Sequence, residues 1–286
     1  MKISAVSQHK CDLGEGPLWD PVALALYWVD SLAPALYRLD YQSQLTQVWP
    51  LPGKSIGSLA IREQGGLVLA MDQGFNFFSP QTGRLQLIDE PLKGRHGVRF
   101  NDGKVDPFGS FIAGGMNIDH SDIEDCPAFR LNRNLQVEQI LSGFSTFNGP
   151  CFNQDGTCLY VTGRPGAGIE MLPYSADELP GPATTIFEGV NSDGATVDNQ
   201  GYLWTAQWSD HCIVRLTPDG QVDAKIIFPG QIVSSVMFGG PELDLIYVTT
   251  VGAEVCGVKS CSPSAGQTLV VEGAGFKGCP EPVFKG

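Results

Sequence analysis

Several patterns that mark common protein classes are scarce or missing in this chain of 286 residues. Lys and Arg total 18 against 31 Asp and Glu, and the resulting net charge of −13 disfavours nucleic acids and anionic membranes as partners. No apolar run approaches the roughly 20 residues of a membrane-spanning helix. The first ten residues contain no apolar core of the kind that a signal peptide needs. We therefore expect a cytoplasmic protein.

The sequence also lacks the signatures of several enzyme classes. Its four histidines form neither an HxH nor an HExxH pattern, which disfavours a nitrogen-rich zinc site. No GxSxG stretch is present, which disfavours a serine hydrolase. The eight cysteines are scattered and include no CxxC pair, so we interpret them as small buried side chains rather than as disulfides or zinc ligands.

The chain does contain a sixfold repeat, in which a short apolar strand, a turn rich in Gly, Asp and Asn, and a second, more apolar strand follow one another. The best-formed copy is NSDGATVDNQGYLWTAQ, at 191–207. Aligned on their turns, the copies open every 41–47 residues, at Glu15, Ile56, Asn101, Asn148, Asp193 and Ser234. Two further strand-like segments follow each of the first five copies. Four strands at this period are typical of a β-propeller blade.

The sixth copy is followed by only one clear strand, TLVVEG at 268–273. The strand-like segment at 2–10 stands before the first blade and is predicted to occupy the outer edge of blade six. Helical periodicity is almost absent from the chain. We therefore predict an all-β fold: a single six-bladed β-propeller domain over 1–286, with four strands per blade, closed by the N-terminal strand.

The opening positions of the repeats suggest a site. Because the first strand of a propeller blade lines the central channel, we expect Glu15, Asn101, Asn148 and Asp193 to converge at one mouth of it. Arg99 lies two residues before Asn101, on the same face of its strand. Amides in a wet channel often only hold water, but two carboxylates are costly to bury without a cation. Oxygen ligands suit Ca²⁺, Mg²⁺ or Mn²⁺ and can hold Zn²⁺, so we predict one divalent cation.

Other acidic residues are interpreted more simply. Asp30 and Asp40 follow apolar strands and are predicted to be solvated strand ends. Three further residues lie beside Gly or Pro in turns, where Asp commonly bonds its own backbone: Asp106, Asp198 and Asp219. The acidic loop at 117–128 is either a lid that recognises substrate or a plain surface insertion.

Specific stretches also connect the chain with a known family: LGEGPLWD, RFNDGKVDPFGSFIAGGM, FNGPCFNQDGTCLYVTG, SDGATVDNQGYLWTAQW and FGGPELDLIYVTT. The chain resembles the regucalcin/gluconolactonase/luciferin-regenerating family of six-bladed propellers over essentially its full length. This resemblance implies hydrolysis of sugar lactones with a divalent metal, whose ligands match Glu15, Asn148 and Asp193. It also implies that Arg99, Asn101 and Asp119 contact substrate.

Two stretches depart from the family's pattern. Relatives commonly place an Asp after the second strand of the fourth blade, where this chain has Gly163, and the loop VGAEVCGVKSC at 251–261 is unusual. Both stretches are expected to border the mouth of the pocket. The departures therefore concern the choice of substrate more than the type of reaction.

The resulting hypothesis is a metal-dependent lactonase of carbohydrate metabolism that opens the lactone of an aldonic acid, such as gluconolactone or xylonolactone. Asp193 is the candidate catalytic base, and a hydroxide bound to the cation is the alternative. The expected partner is a small sugar lactone, and the expected state is a monomer or weak homo-oligomer. Two other functions stay open: a non-catalytic calcium-binding or regulatory propeller, and a phosphotriester hydrolase of related fold.

Overall fold

The computed structural model describes residues 1–118, 125–189, 191–252, 254–255 and 257–286. In these ranges the short apolar segments of the sequence form β-strands, and the one helical element is a 3₁₀ turn at Trp208–Asp210. No helix among the described residues is long and apolar enough to cross a membrane.

The strands form six four-stranded sheets, which are the blades of a six-bladed β-propeller and confirm the predicted fold class. Strand β1 is Lys2–Ala5. Blade one contains β2 Gly14–Asp20, β3 Ala25–Asp30, β4 Ala35–Asp40 and β5 Thr46–Pro50. Blade two contains β6 Ile56–Ile61, β7 Leu67–Met71, β8 Gly74–Ser79 and β9 Arg84–Asp89. Blade three contains β10 Val98–Val105, β11 Phe111–Asn117, β12 Cys126–Leu131 and β13 Val137–Phe144.

The remaining blades follow the same order. Blade four contains β14 Asn148–Phe152, β15 Cys158–Thr162, β16 Ile169–Pro173 and β17 Thr184–Phe187. Blade five contains β18 Ser192–Val197, β19 Leu203–Gln207, β20 Cys212–Leu216 and β21 Val222–Ile227. Blade six begins with β22 Val233–Gly239 and β23 Leu245–Thr250. A two-stranded hairpin of β24 Glu254–Val255 and β25 Val258–Lys259 comes next, within the loop that departs from the family's pattern, and β26 Leu269–Glu272 ends the series.

Blade six is completed by the start of the chain, as predicted. Its strand order is β1-β26-β23-β22, and β1 pairs antiparallel with β26 from Lys2 opposite Glu272 to Ala5 opposite Leu269. The main-chain groups of β26 are therefore covered on both sides by neighbouring strands rather than left at an exposed sheet edge.

The chain divides into two compact units. The first unit, residues 1–54 and 193–281, holds blades five, six and one, and the second unit, residues 55–192 and 282–286, holds blades two, three and four. In the first unit, Trp204 and Phe238 pack edge to face in the core between blades five and six. In the second unit, Phe284 from the C-terminal segment is fully buried in the cluster that contains Phe75 and Phe100.

The prediction that Asp30 is a solvated strand end is wrong. Asp30 is only 2% exposed, and its carboxylate accepts hydrogen bonds from four backbone N–H groups, those of Asp12, Leu13, Leu32 and Ala33. These bonds compensate the cost of burying the charge and tie the segment that leads into β2 to the end of β3. Asp40, by contrast, keeps a third of its side chain exposed at the end of β4.

The turn aspartates behave largely as predicted. Asp106 Oδ1 accepts the N–H groups of Phe108 and Ser110, and Asp198 Oδ1 accepts those of Gln200 and Tyr202. The Asp219 carboxylate instead accepts the hydroxyl of Thr217. These residues therefore hold turns within their blades.

The seven described cysteines are all free thiols. Burial raises the pKa of the Cys11 thiol to about 12 and that of Cys126 to about 11, so both stay protonated and unreactive at neutral pH. Cys261 is exposed, which corrects the expectation that every cysteine is buried.

Candidate functional site

The opening strands of blades one, two, three, four and six share a distortion near their first residues. Where they pair with the second strand, the register shifts at the following steps: Glu15/Leu18, Ile56/Ser58, Phe100/Gly103, Asn148/Cys151 and Val233/Ser235. Such a bulge places an extra residue in one strand and redirects its side chains. The repeated position found in the sequence therefore coincides with a β-bulge that recurs in these strands.

Two of the predicted ligands stand on closely similar bulges. Glu15 and Asn148 are each followed by a glycine in the left-handed region, Gly16 at φ 54° and Gly149 at φ 56°. A proline follows in both cases. Because residues with a Cβ rarely adopt this conformation, the GP pair is the sequence signal for this form of the bulge, which blades one and four share.

In the second unit, Arg99, Asn101 and Asn148 form a chain of contacts. Arg99 Nη1 donates to the carbonyl oxygen of Phe100 at 2.8 Å and lies 3.4 Å from Asn101 Oδ1. Asn101 Nδ2 donates to Asn148 Oδ1 at 2.5 Å and to the carbonyl oxygen of Phe147 at 3.0 Å. The structure thus brings together three of the predicted site residues, from blades three and four.

This chain of contacts fixes how each amide is used. Asn101 turns its oxygen towards Arg99 and its nitrogen towards blade four, so Asn148 presents its oxygen as acceptor. A carbonyl oxygen has two lone pairs, and one of them suffices for the Asn101 bond. Asn148 Oδ1 is therefore chemically suited to bind a cation as well.

Asp102 is a residue of this region that the sequence analysis missed. Its Oδ1 accepts the N–H of Gly103 at 2.7 Å and its Oδ2 accepts the N–H of Gly149 at 2.9 Å. Burial raises the pKa of the Asp102 carboxyl, while the charge of Lys104 and the two N–H groups act in the opposite direction. A signal was present, because four of the six repeats carry Gly at this position.

In the first unit, Glu15 and Asp193 open β2 and β18. Asp193 is buried, at 6% exposure, and Glu15 is half-buried. Both strands contact the start of β22. Ser234 Oγ donates to the Gly14 carbonyl oxygen at 2.5 Å, and a Cβ built on Gly194 would lie 2.0 Å from Ser235 Oγ. The repeat position of blade six therefore bonds the strand that carries Glu15, and the next residue packs closely against the strand that carries Asp193.

Two expectations about the rim have different outcomes. Asp119 lies outside the described residues, so its predicted contact with substrate stays a prediction. At Gly163 the backbone has φ 107°, and a built Cβ would lie 1.5 Å from the carbonyl oxygen of Thr146. The Asp that the family resemblance leads us to expect at this position does not fit this backbone. The next residue, Arg164, instead pairs with Glu170 at 2.8 Å and lies over the ring of Phe144.

The donor set fits the predicted cation by its chemistry. If they act together as predicted, Glu15, Asn148 and Asp193 would supply two carboxylates and one amide oxygen, which are hard ligands suited to Ca²⁺, Mg²⁺ or Mn²⁺. Within the described ranges, no three or more His, Cys, Asp or Glu side chains group together as a metal cluster.

Comparisons with known proteins identify the family of the chain. Residues 13–252 match the model of the SMP-30/gluconolactonase/LRE-like region. The 6-deoxy-6-sulfogluconolactonase of Pseudomonas putida is 31% identical over 291 residues, covering 99% of each chain. The pentonolactonase of Haloferax volcanii is 32% identical over 270 residues, covering 89% of this chain and 87% of its own. The crystal structure of the calcium-binding protein regucalcin from Agrobacterium tumefaciens superposes with a TM-score of 0.90 at 26% identity, over 98% of this chain and 96% of that one. This chain belongs to the SMP-30/gluconolactonase/LRE-like family.

Proposed function

We propose that this protein is a sugar lactonase that hydrolyses the lactone of an aldonic acid to the open-chain acid. The relatives that match most of the chain include a 6-deoxy-6-sulfogluconolactonase and a pentonolactonase. The observation that carries the proposal is the ordered contact chain from Arg99 through Asn101 to Asn148. A row of directional polar groups is suited to a substrate rich in hydroxyl and carbonyl oxygens.

We further propose that Glu15, Asn148 and Asp193 hold one divalent cation. When bound, such a cation polarises the lactone carbonyl and stabilises the oxyanion that forms there. Support comes from the all-oxygen donor set and from the acceptor role that Asn101 imposes on Asn148. Ca²⁺, Mg²⁺, Mn²⁺ and Zn²⁺ are all compatible with these ligands.

The chain's own residues then take distinct roles in the proposed reaction. Asp193 accepts a proton from the attacking water, because it is a buried carboxylate on an opening strand. Arg99 and Asn101 orient the oxygens of the substrate through hydrogen bonds. Asp119 contacts sugar hydroxyls and influences which lactone is preferred. The water oxygen bonds to the lactone carbonyl carbon, the ring C–O bond breaks, and the proton held by Asp193 passes to the released ring oxygen, so the acid and a free hydroxyl form.

A non-catalytic calcium-binding role is the second candidate. One observation favours it: the similar Agrobacterium structure is described as that of a calcium-binding protein. Both candidates use the same ligands, so they differ only in whether substrate is turned over.

A lactone panel tests the proposal. The purified protein is assayed with gluconolactone, galactonolactone, xylonolactone and a phosphotriester, with EDTA and after return of each of the four cations. We expect hydrolysis of at least one sugar lactone well above the spontaneous rate, loss of that activity in EDTA and recovery with a cation. Calcium binding without turnover of any lactone would favour the second candidate. Turnover of the phosphotriester alone would contradict both.

A further inference from the structure

Asp102 occupies a position at which the propeller blade does not require a carboxylate. It directly follows the repeated opening residue, where blades one, two, four and five carry Gly and blade six carries Ser. All six blades fold into the same four-stranded sheet. The charge of Asp102 is therefore specific to blade three and is not part of the repeated design.

The contacts of Asp102 connect β10 with the backbone of blade four. One carboxylate oxygen accepts the N–H of the adjacent Gly103, and the other reaches across to blade four and accepts the N–H of Gly149 at 2.9 Å. Gly149 is the left-handed residue of the bulge that begins at Asn148. The carboxylate therefore holds the backbone immediately after the proposed ligand.

The residue before Asp102 holds the other side of the same ligand. Asn101 Nδ2 bonds both the Asn148 side-chain oxygen and the carbonyl oxygen of Phe147. Two consecutive residues of β10 thus bond the peptide before Asn148, its side chain and the peptide after it. The bulge in β10, between Phe100 and Gly103, contains both residues.

We propose that Asp102 is a positioning residue, which fixes the backbone of Asn148 so that its side-chain oxygen is preorganised to bind the cation. This inference rests on the proposed function, because it assumes that Asn148 is a ligand. Outer-shell partners of this kind typically contribute about 10- to 100-fold to metal affinity. A purely structural bond between two blades would instead contribute to stability and leave affinity unchanged.

The test uses Asp102→Gly, which installs the residue that four other blades carry. The affinity for Mn²⁺ is measured from the free fraction by electron paramagnetic resonance, and the melting temperature is measured in EDTA. We expect the Kd to rise about 10- to 100-fold, with little change in the metal-free melting temperature. Asp102→Asn keeps one acceptor oxygen and should give a Kd between those of the wild type and Asp102→Gly.

A matched control and a double-mutant cycle make the result specific. Asp20 Oδ1 also accepts two backbone N–H groups, from Val22 and Ala23, in an exposed turn of blade one. Asp20→Gly should leave the Kd unchanged. In an Asn148→Ala background, Asp102→Gly should weaken Mn²⁺ binding no further, because the ligand that it positions is gone.

Three results would overturn the inference. The Kd of Asp102→Gly could equal that of the wild type, or the metal-free melting temperature could fall sharply while the Kd stays constant. The third result is that Asp102→Gly still raises the Kd for Mn²⁺ in the Asn148→Ala background, and that Asp102→Asn raises the Kd as much as Asp102→Gly. That result would assign the effect to the charge of Asp102 alone. A wild-type protein that neither binds Mn²⁺ nor hydrolyses a lactone would remove the proposed function and this inference together. A wild type that does both, beside an unaffected Asp102→Gly, would remove the inference only.

Discussion

Gly163 shows how one residue can determine the backbone path into a neighbouring strand. Its carbonyl oxygen accepts the N–H groups of Ser145 and Thr146, the residues that lead into β14. Its Cα faces the carbonyl oxygen of Thr146 so closely that a side chain has no room. The segment that leads into Asn148 therefore packs directly against the backbone of Gly163. A side chain such as that of Asp has no room at residue 163.

The first prediction at this scale concerns Gly163→Ala. Its Cβ would meet backbone 1.5 Å away, and its φ of 107° already disfavours an L residue. Overpacking typically costs about 1–3 kcal/mol, and left-handed strain about 1–2 kcal/mol. Gly166 is the matched control, because it lies in the same loop at φ 72° with no atom within 4 Å of a built Cβ.

We expect Gly163→Ala to lower the free energy of unfolding by at least about 1 kcal/mol more than Gly166→Ala, measured by guanidinium titration. Equal losses in the two variants would show that the segment before β14 relaxes without cost. The close approach to Thr146 would then have no energetic importance.

Strand β1 is the element that closes blade six, and its contribution is mainly through the backbone. The strand is largely exposed, with Ile3 at 37%, whereas Leu269 and Val271 of β26 are buried. Removing β1 leaves the N–H and C=O groups of β26 at an open edge and uncovers part of its apolar face.

Deletion of residues 1–5 should therefore lower the melting temperature by about 5 °C or more and promote aggregation. Differential scanning calorimetry and gel filtration measure both effects. Lys2→Ala is the control, because it removes only an exposed ion pair with Glu272 and keeps the strand pairing. A deletion variant as stable and monomeric as Lys2→Ala would contradict closure by β1.

The strands and blades could be predicted from the sequence where the residues that specify them lie close together in the chain. The period of 41–47 residues and the turn residues identified the blades, and the shortened sixth copy identified the N-terminal strand as its completion. The burial of Asp30 was not predictable, because four N–H groups that converge on one carboxylate come from two separate segments. The role of Asp102 depends in the same way on a partner 47 residues away.

At the scale of the whole molecule, sequence repetition explains both the fold and the candidate site. Each blade presents one opening residue on one strand, and these positions diverged into acids, amides, a hydroxyl and an aliphatic side chain. The side chain at this repeated position can therefore change from blade to blade while the four-stranded sheet of the blade is kept.

The last prediction separates an enzyme from a protein that only holds an ion. Asp193→Asn keeps the shape of a buried side chain but removes the carboxylate proposed as both ligand and base. If its role is chemical, lactone hydrolysis should fall about 10²-fold or more. The melting temperature in EDTA should stay near that of the wild type, because β18 keeps its strand pairing.

The wild type should also gain stability from the cation, by about 2.7 kcal/mol when the cation is present at 100 times its Kd. Asp193→Asn should lose most of this gain. The paired measurement is the rate with the best lactone and the melting temperature, each with EDTA and with saturating cation. Asp219→Asn is the control, because it removes a carboxylate from a turn, where Asp219 accepts a hydrogen bond from the Thr217 hydroxyl. A near-normal rate for Asp193→Asn, together with loss of the stability gained from the cation, would mean that the ion is structural and that hydrolysis, if present, depends on other residues.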